Sequence, residues 1–144
     1  MKRIGLLVFV CIVALASFAQ KANYNIIPLP KEVKADTTQQ FTLKEGMSIA
    51  YDSSNTEVTR TAEFLQQWVK EVTGIQLQLT PEDKTAQIKL SIMAPAKKSK
   101  KAKQQVAPLT DQQKEAYTLG IDGKGILLSA CEPVGLFRAA QTLR

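Results

Sequence analysis

The sequence of 144 residues contains no histidine and only two cysteines, Cys11 and Cys131. Without histidine, the chain cannot form a Ser-His-Asp or Cys-His nucleophile system, and it cannot bind zinc through imidazole. Its hydrophobic content of 44% and charged content of 22% are close to the averages for globular domains, which argues against disorder of the whole chain. These absences exclude several kinds of active site and leave a globular domain as the expectation.

The first 19 residues have the pattern of an export signal. Two basic residues precede an apolar run over residues 4–16, and small side chains precede a predicted cleavage site between Ala19 and Gln20. A membrane anchor is the alternative, but this run is shorter than the roughly 20 residues needed to cross a bilayer. Cys11 lies inside the apolar run, where a lipoprotein cysteine does not belong. We therefore expect export to the periplasm or the extracellular space, without a stable membrane anchor.

Removal of the signal would leave residues 20–144 with Cys131 as the single cysteine. No disulfide can then form within the chain, so the domain must be held together by the burial of apolar side chains. Because free cysteine packs as a small hydrophobe, we expect Cys131 to be buried.

The net charge of +6 comes from two local concentrations of basic residues. Two basic residues lie in the signal and five lysines lie within residues 96–103, and the remaining 12 basic residues nearly balance the 13 acidic ones. The lysine-rich loop, residues 96–108, lacks the interleaved aromatic side chains that stack on bases. We interpret it as a solvated loop, with polyanion contact as the alternative, and expect no nucleic acid partner.

The spacing of apolar residues predicts two helices, over residues 57–73 and from Pro133 to the end of the chain. The expected inward face of the first consists of Val58, Ala62, Leu65, Val69 and Val72, widened by Phe64 and Trp68. The inward face of the second consists of Leu136, Ala139, Ala140 and Leu143.

The ends of the first helix carry their own signals. Ser54 with Glu57 three positions later resembles a capping box, and Asn55 and Thr56 are alternative caps. Gly74 suits the left-handed position that follows a helix.

Alternation of apolar and polar residues predicts several short strands. They cover residues 33–36, 40–43, 47–51, 75–79, 88–93, 117–121 and 126–130. The last two are joined by a turn over residues 122–125 and form a predicted hairpin. Residues 25–30 contain two prolines and are expected to be extended but unpaired. This order predicts the α+β class, with a mostly antiparallel β-sheet and two α-helices packed on one face.

No pair of carboxylates is arranged for catalysis. Glu82 and Asp83 are adjacent, but they follow Pro81 in a predicted turn, where no burial raises a pKa toward acid catalysis. The sequence therefore predicts no catalytic residue, and it also predicts no metal site and no cofactor.

Aromatic side chains could form a sugar-binding platform. However, Trp68 and Tyr117 lie on apolar faces, and we interpret them as core residues. Tyr24 and Tyr51 are expected to be more exposed, but they are too scattered to form a platform.

Three segments together resemble a known family. They are residues 26–33 (IIPLPKEV), residues 115–126 (EAYTLGIDGKGI) and residues 135–144 (GLFRAAQTLR). Over roughly residues 25–144 the chain resembles the N-terminal domain of bacterial β-N-acetylhexosaminidases of glycoside hydrolase family 20. The resemblance implies an antiparallel sheet with two helices on one face, followed directly by a (β/α)8 barrel.

Catalysis in that family belongs to the barrel. The resemblance implies an Asp-Glu pair there that works by substrate assistance, in which the substrate's own 2-acetamido oxygen is the nucleophile. Nothing in this sequence matches that pair, and a barrel needs on the order of 250 residues. The final helix ends at Arg144 with its apolar stripe in phase and without a usual stop signal, so we expect a truncated chain that is inactive alone.

We therefore expect residues 20–144 to be the non-catalytic domain of a secreted enzyme that removes terminal N-acetylhexosamine from glycans. Its expected partner is the missing barrel, which would bind the glycan substrate and would contact Arg138, Gln141 and Arg144 on the polar side of the last helix. A stand-alone secreted module that binds a carbohydrate or a protein is the alternative.

Overall fold

The computed structural model describes residues 30–36, 38–93 and 108–144. The chain divides into two compact units, Met1–Ala35 and Asp36–Arg144. In the described part of the first unit, the exposed side chains of Lys34 and Glu32 form an ion pair at 3.3 Å. The second unit contains all the helices and strands of the described residues.

Three predictions fall outside the described residues. They concern the signal with its cleavage site between Ala19 and Gln20, the extended segment apart from Pro30, and the lysine-rich loop apart from Pro108. They remain predictions.

The described residues form three helices and five strands. In chain order these are β1 (Ser48–Tyr51), α1 (Thr56–Thr73), β2 (Gln78–Pro81), β3 (Ile88–Ile92), α2 (Asp111–Lys114), β4 (Tyr117–Asp122), β5 (Gly125–Ala130) and α3 (Pro133–Leu143). None of these helices is long and apolar enough to cross a membrane. The α+β class is confirmed.

The sheet is mixed, and its strands have the order β2-β1-β3-β5-β4. Three neighbouring pairs are parallel, namely β1 with β2, β1 with β3, and β3 with β5. Among the described strands, only β4 and β5 pair in the antiparallel direction, and they form the predicted hairpin. The expectation of a mostly antiparallel sheet is therefore corrected. The physical reason is that α1 crosses over between β1 and β2 and returns the chain in the same direction.

Two predicted strands are absent and one has shifted. Within the described residues, 33–36 and 40–43 have no strand structure. The strand predicted over residues 75–79 begins at Gln78, and two backbone groups before it are hydrogen-bonded to side chains. The Gln76 amide donates to the Glu45 carboxylate at 2.9 Å, and the Leu77 carbonyl accepts from the Gln66 side chain at 2.8 Å.

Helix α1 begins and ends close to the predicted positions. The Asn55 side chain, not that of Ser54, accepts from the amides of Glu57 and Val58 at 3.0 and 3.2 Å, so the alternative cap is confirmed and the Ser54 capping box is wrong. Gly74 follows the helix at φ +77°, in the left-handed region where glycine carries no Cβ penalty.

The core lies between the sheet and the helix pair α1 and α3. Four of the five predicted apolar positions of α1 are buried, namely Val58, Ala62, Leu65 and Val69. Val72, the fifth, is 64% exposed because it lies in the last turn of the helix. The four buried residues of α1 form one cluster with the inward side chains of the sheet and with Leu136, Ala139 and Ala140 of α3. The prediction of two helices on one face is confirmed.

The short helix α2 was not predicted from the sequence. Thr110 and Gln113 form its capping box, in which the Gln113 amide donates to the Thr110 hydroxyl and the Thr110 amide donates to the Gln113 side chain. The segment that follows α2 contacts α3 closely. A Cβ on Gly135 would lie 2.7 Å from the Ala116 carbonyl oxygen, so only glycine fits at this approach.

Candidate functional site

The outward side of α3 carries both apolar and polar side chains. Because Leu136, Ala139 and Ala140 face the core, residues 134, 137, 138 and 141 lie on the opposite side of the helix. Val134 is 39% exposed and Phe137 is 36% exposed. We call this side of α3, together with the adjoining residues 57, 60 and 61 of α1, the outer helix surface.

A groove of about 330 Å³ lies between the first halves of α1 and α3. It is lined by Glu57, Arg60, Thr61, Pro133, Val134 and Phe137. Its floor is fixed by contacts within the domain. The rings of Phe64 and Phe137 pack at 5.4 Å between centroids with an angle of 55°, and the Thr61 hydroxyl donates to the Glu57 carbonyl at 2.9 Å. The groove combines apolar side chains with the charged side chains of Glu57 and Arg60.

The structure brings two of the three predicted interface residues together on this surface. The Arg138 guanidinium donates to the Gln141 side chain at 3.2 Å, and its Nε atom lies 3.4 Å from the Glu115 carboxylate. Arg144 is exposed and follows the last turn of α3, and its backbone amide donates to the Ala140 carbonyl at 3.3 Å. The Arg138–Glu115 pair joins α3 to the residue that follows α2, so Arg138 has a contact within the domain as well as an exposed side.

Sequence reasoning missed Val134 and Phe137 as surface residues. The signal was present, since both are apolar at positions that the inward face of the helix does not use. Both side chains are partly exposed and line the same groove.

Three of the four aromatic residues considered for sugar binding pack against the core. Trp68, Tyr117 and Tyr51 are partly buried and pack against the central cluster. The Tyr117 hydroxyl lies 2.6 Å from the Thr142 hydroxyl and so joins β4 to α3. The prediction of core packing for Trp68 and Tyr117 is confirmed, and Tyr51 packs against the same cluster. Tyr24 lies outside the described residues.

A second groove, of about 610 Å³, lies on the other face of the sheet, at the ends of β1 and β2. Three carboxylates contribute to it, those of Asp52, Glu82 and Asp83, together with Lys84 and Lys89. Glu82 has φ +60°, which is uncommon for a residue with a side chain.

The carboxylates of this second groove are poor candidates for acid catalysis. The Asp83 carboxylate accepts from the amide and hydroxyl of Thr85, both at 2.7 Å, and these hydrogen bonds hold its pKa below the ordinary value. Ser54 lowers the pKa of Asp52 in the same way. A general acid at neutral pH needs the opposite shift. The prediction that Glu82 and Asp83 lie in a turn is confirmed by their place between β2 and β3.

Two candidates remain, the free cysteine and a metal site. Cys131 has a free thiol and is half-buried, so the expectation of full burial is wrong in degree. Across residues 30–36, 38–93 and 108–144, no group of three His, Cys, Asp or Glu side chains is placed to hold a metal ion.

Comparisons with known proteins point to one family. The family profile described as glycosyl hydrolase family 20, domain 2, matches residues 23–144. A search of curated proteins found no match.

Solved structures with a similar fold come from Streptomyces. The N-acetyl-beta-hexosaminidase of Streptomyces plicatus, solved in complex with Thio-NAglucal, is 22% identical over 72% of this chain, with a TM-score of 0.55. The GH20 beta-N-acetylhexosaminidase of Streptomyces coelicolor A3(2) is 24% identical over 72% of this chain, with the same TM-score. The chain spans only 17% and 18% of the length of these two proteins.

Proposed function

Since the chain belongs to glycosyl hydrolase family 20, with residues 23–144 corresponding to domain 2 of that family, we propose that it is the non-catalytic domain of a β-N-acetylhexosaminidase. The parent enzyme hydrolyses terminal non-reducing N-acetylglucosamine or N-acetylgalactosamine residues of glycans, with retention and by substrate assistance. The observation that carries the proposal is the match over residues 23–144, combined with coverage of only 17–18% of the solved hexosaminidases.

The described residues support a non-catalytic role. The ionised carboxylates of Asp52 and Asp83 are bound to their own turns, and hydrogen bonds lower the pKa of both groups. Such groups stay deprotonated at neutral pH and cannot protonate a leaving group. We assign catalysis to a (β/α)8 barrel because residues 23–144 match domain 2 of the family and the chain spans only 17–18% of the solved hexosaminidases.

The outer helix surface is the proposed contact with that barrel. Val134 and Phe137 offer apolar area beside the groove, and Arg138 and Gln141 lie next to them. Arg144 lies two helical turns after Phe137 and is the third polar residue of the proposed contact. Burial of this surface would stabilise both domains, because exposed apolar side chains gain about 25 cal/mol per Å² when they leave water.

Export is the second part of the proposal. Residues 1–19 would direct the protein to the periplasm or outside the cell, and cleavage between Ala19 and Gln20 would release the domain without a membrane anchor. Amino-terminal sequencing of the protein from a non-cytoplasmic fraction should begin at Gln20. A chain that retains Met1 in that fraction would contradict the cleavage.

An activity assay tests the assignment of catalysis. Purified protein of residues 20–144 should release no chromophore from a chromogenic N-acetylglucosaminide, whereas the Streptomyces coelicolor enzyme serves as the positive control. Turnover that follows the protein through every purification step would overturn the proposal.

The DNA beyond the codon for Arg144 tests the parent enzyme. An in-frame continuation that encodes an adjacent Asp-Glu pair within a barrel-length sequence supports the hexosaminidase. A stop codon there, together with measurable glycan binding by residues 20–144, would favour a stand-alone binding module instead.

A further inference from the structure

We draw no further inference here: the strongest candidate, the groove on the helix-free face of the sheet where Asp52, Glu82 and Asp83 lie near Lys89, carries nothing because it rests on a cluster of acidic residues, and nothing else in the described residues points to a ligand.

Discussion

Gly135 occupies the closest approach between α3 and the segment that precedes β4. A Cβ at this position would lie 2.7 Å from the Ala116 carbonyl oxygen, 2.8 Å from the Ala130 Cβ and 2.9 Å from the Lys114 carbonyl oxygen. Two of these three atoms belong to the backbone and cannot rotate away. The helix can therefore pack this closely on the sheet only because residue 135 has no side chain.

The Gly135→Ala variant should be less stable than the parent. Alanine favours a helix interior over glycine by about 1 kcal/mol, but overpacking of a filled site costs about 1–3 kcal/mol. Since the clash involves two backbone oxygens, we expect an overpacking cost in the upper part of that range, about 2–3 kcal/mol, so the free energy of unfolding should fall by about 1–2 kcal/mol. Urea denaturation followed by circular dichroism measures it.

Gly120→Ala is the matched control, because the nearest atom to an added Cβ there is 4.0 Å away. It should change the free energy of unfolding by no more than about 0.5 kcal/mol. Equal stability of the Gly135→Ala variant and the parent would show that the approach is looser than described.

Asp52 illustrates how a local turn sets the charge of an exposed side chain. Its carboxylate accepts from the Ser54 hydroxyl at 2.6 Å and from the Ser54 amide at 2.9 Å, and these bonds lower its pKa below 3.8. The folded-state pKa is thus below the unfolded value. The stabilisation is complete above pH 3.8 and is lost as the pH falls through the folded-state pKa.

The Ser54→Ala variant should raise the pKa of Asp52 toward 3.8, because the hydroxyl donor is lost and the amide donor remains. Carboxyl chemical shifts followed by NMR from pH 2 to 6 measure this change. The Asp83 pKa, set by Thr85, should be unaffected and serves as the internal control. An unchanged Asp52 titration would contradict the assigned hydrogen bond.

At the scale of elements, the amphipathic pattern located α1 well but did not identify its cap. Ser54, Asn55 and Thr56 are all good caps by composition, so the sequence left three candidates. The structure selects Asn55, because the Ser54 hydroxyl donates to Asp52 instead. Competition between neighbouring polar side chains cannot be resolved without the backbone conformation.

Replacement of Asn55 by alanine should destabilise the domain by about 1 kcal/mol, since the amides of Glu57 and Val58 lose their acceptor. Thermal or urea unfolding measures the loss. Ser54→Ala removes a hydroxyl from the same turn without removing the cap, and it should cost clearly less at neutral pH. If the two variants lost equal amounts of stability, the assignment of the cap to Asn55 would be contradicted.

Strand direction was the main feature of the fold that the sequence did not reveal. The alternation in Ile88, Leu90 and Ile92 identifies which side chains face inward, and Ile88 and Leu90 are buried. Such alternation is more typical of antiparallel sheets, but here it occurs in a strand with two parallel neighbours, because only one face of the strand is buried. The sequence indicated strand direction only for the β4–β5 hairpin, because a two-residue turn between Asp122 and Gly125 permits only antiparallel strands.

At the scale of the whole molecule, family membership was predictable and the contact surface only in part. The three segments that resemble the family all lie within residues 23–144, which the family profile matches. The polar residues Arg138 and Gln141 were placed on the outward side of α3 by helical spacing. Helical spacing puts Val134 and Phe137 off the inward face as well, but the groove that they line depends on how α3 packs against α1, which the sequence does not show.

The outer helix surface should make residues 20–144 self-associate when the rest of the polypeptide is absent. Exposed apolar surfaces tend to associate with other apolar surfaces. In a pure sample, the available partner is a second copy of the same protein. Sedimentation velocity should show a sedimentation coefficient that rises with protein concentration. A species that stays monomeric over the whole range would contradict an uncovered interface.

Val134→Glu should reduce this association, because it places a charge beside the groove while Val134 lies outside the core. Val72→Glu is the matched control, since Val72 is the more exposed of the two at 64% and lies in the last turn of α1, away from the groove residues. It should leave association unchanged. Because both substitutions add one negative charge, a general charge effect would weaken association equally in the two variants. The assignment to the groove requires that only Val134→Glu does so.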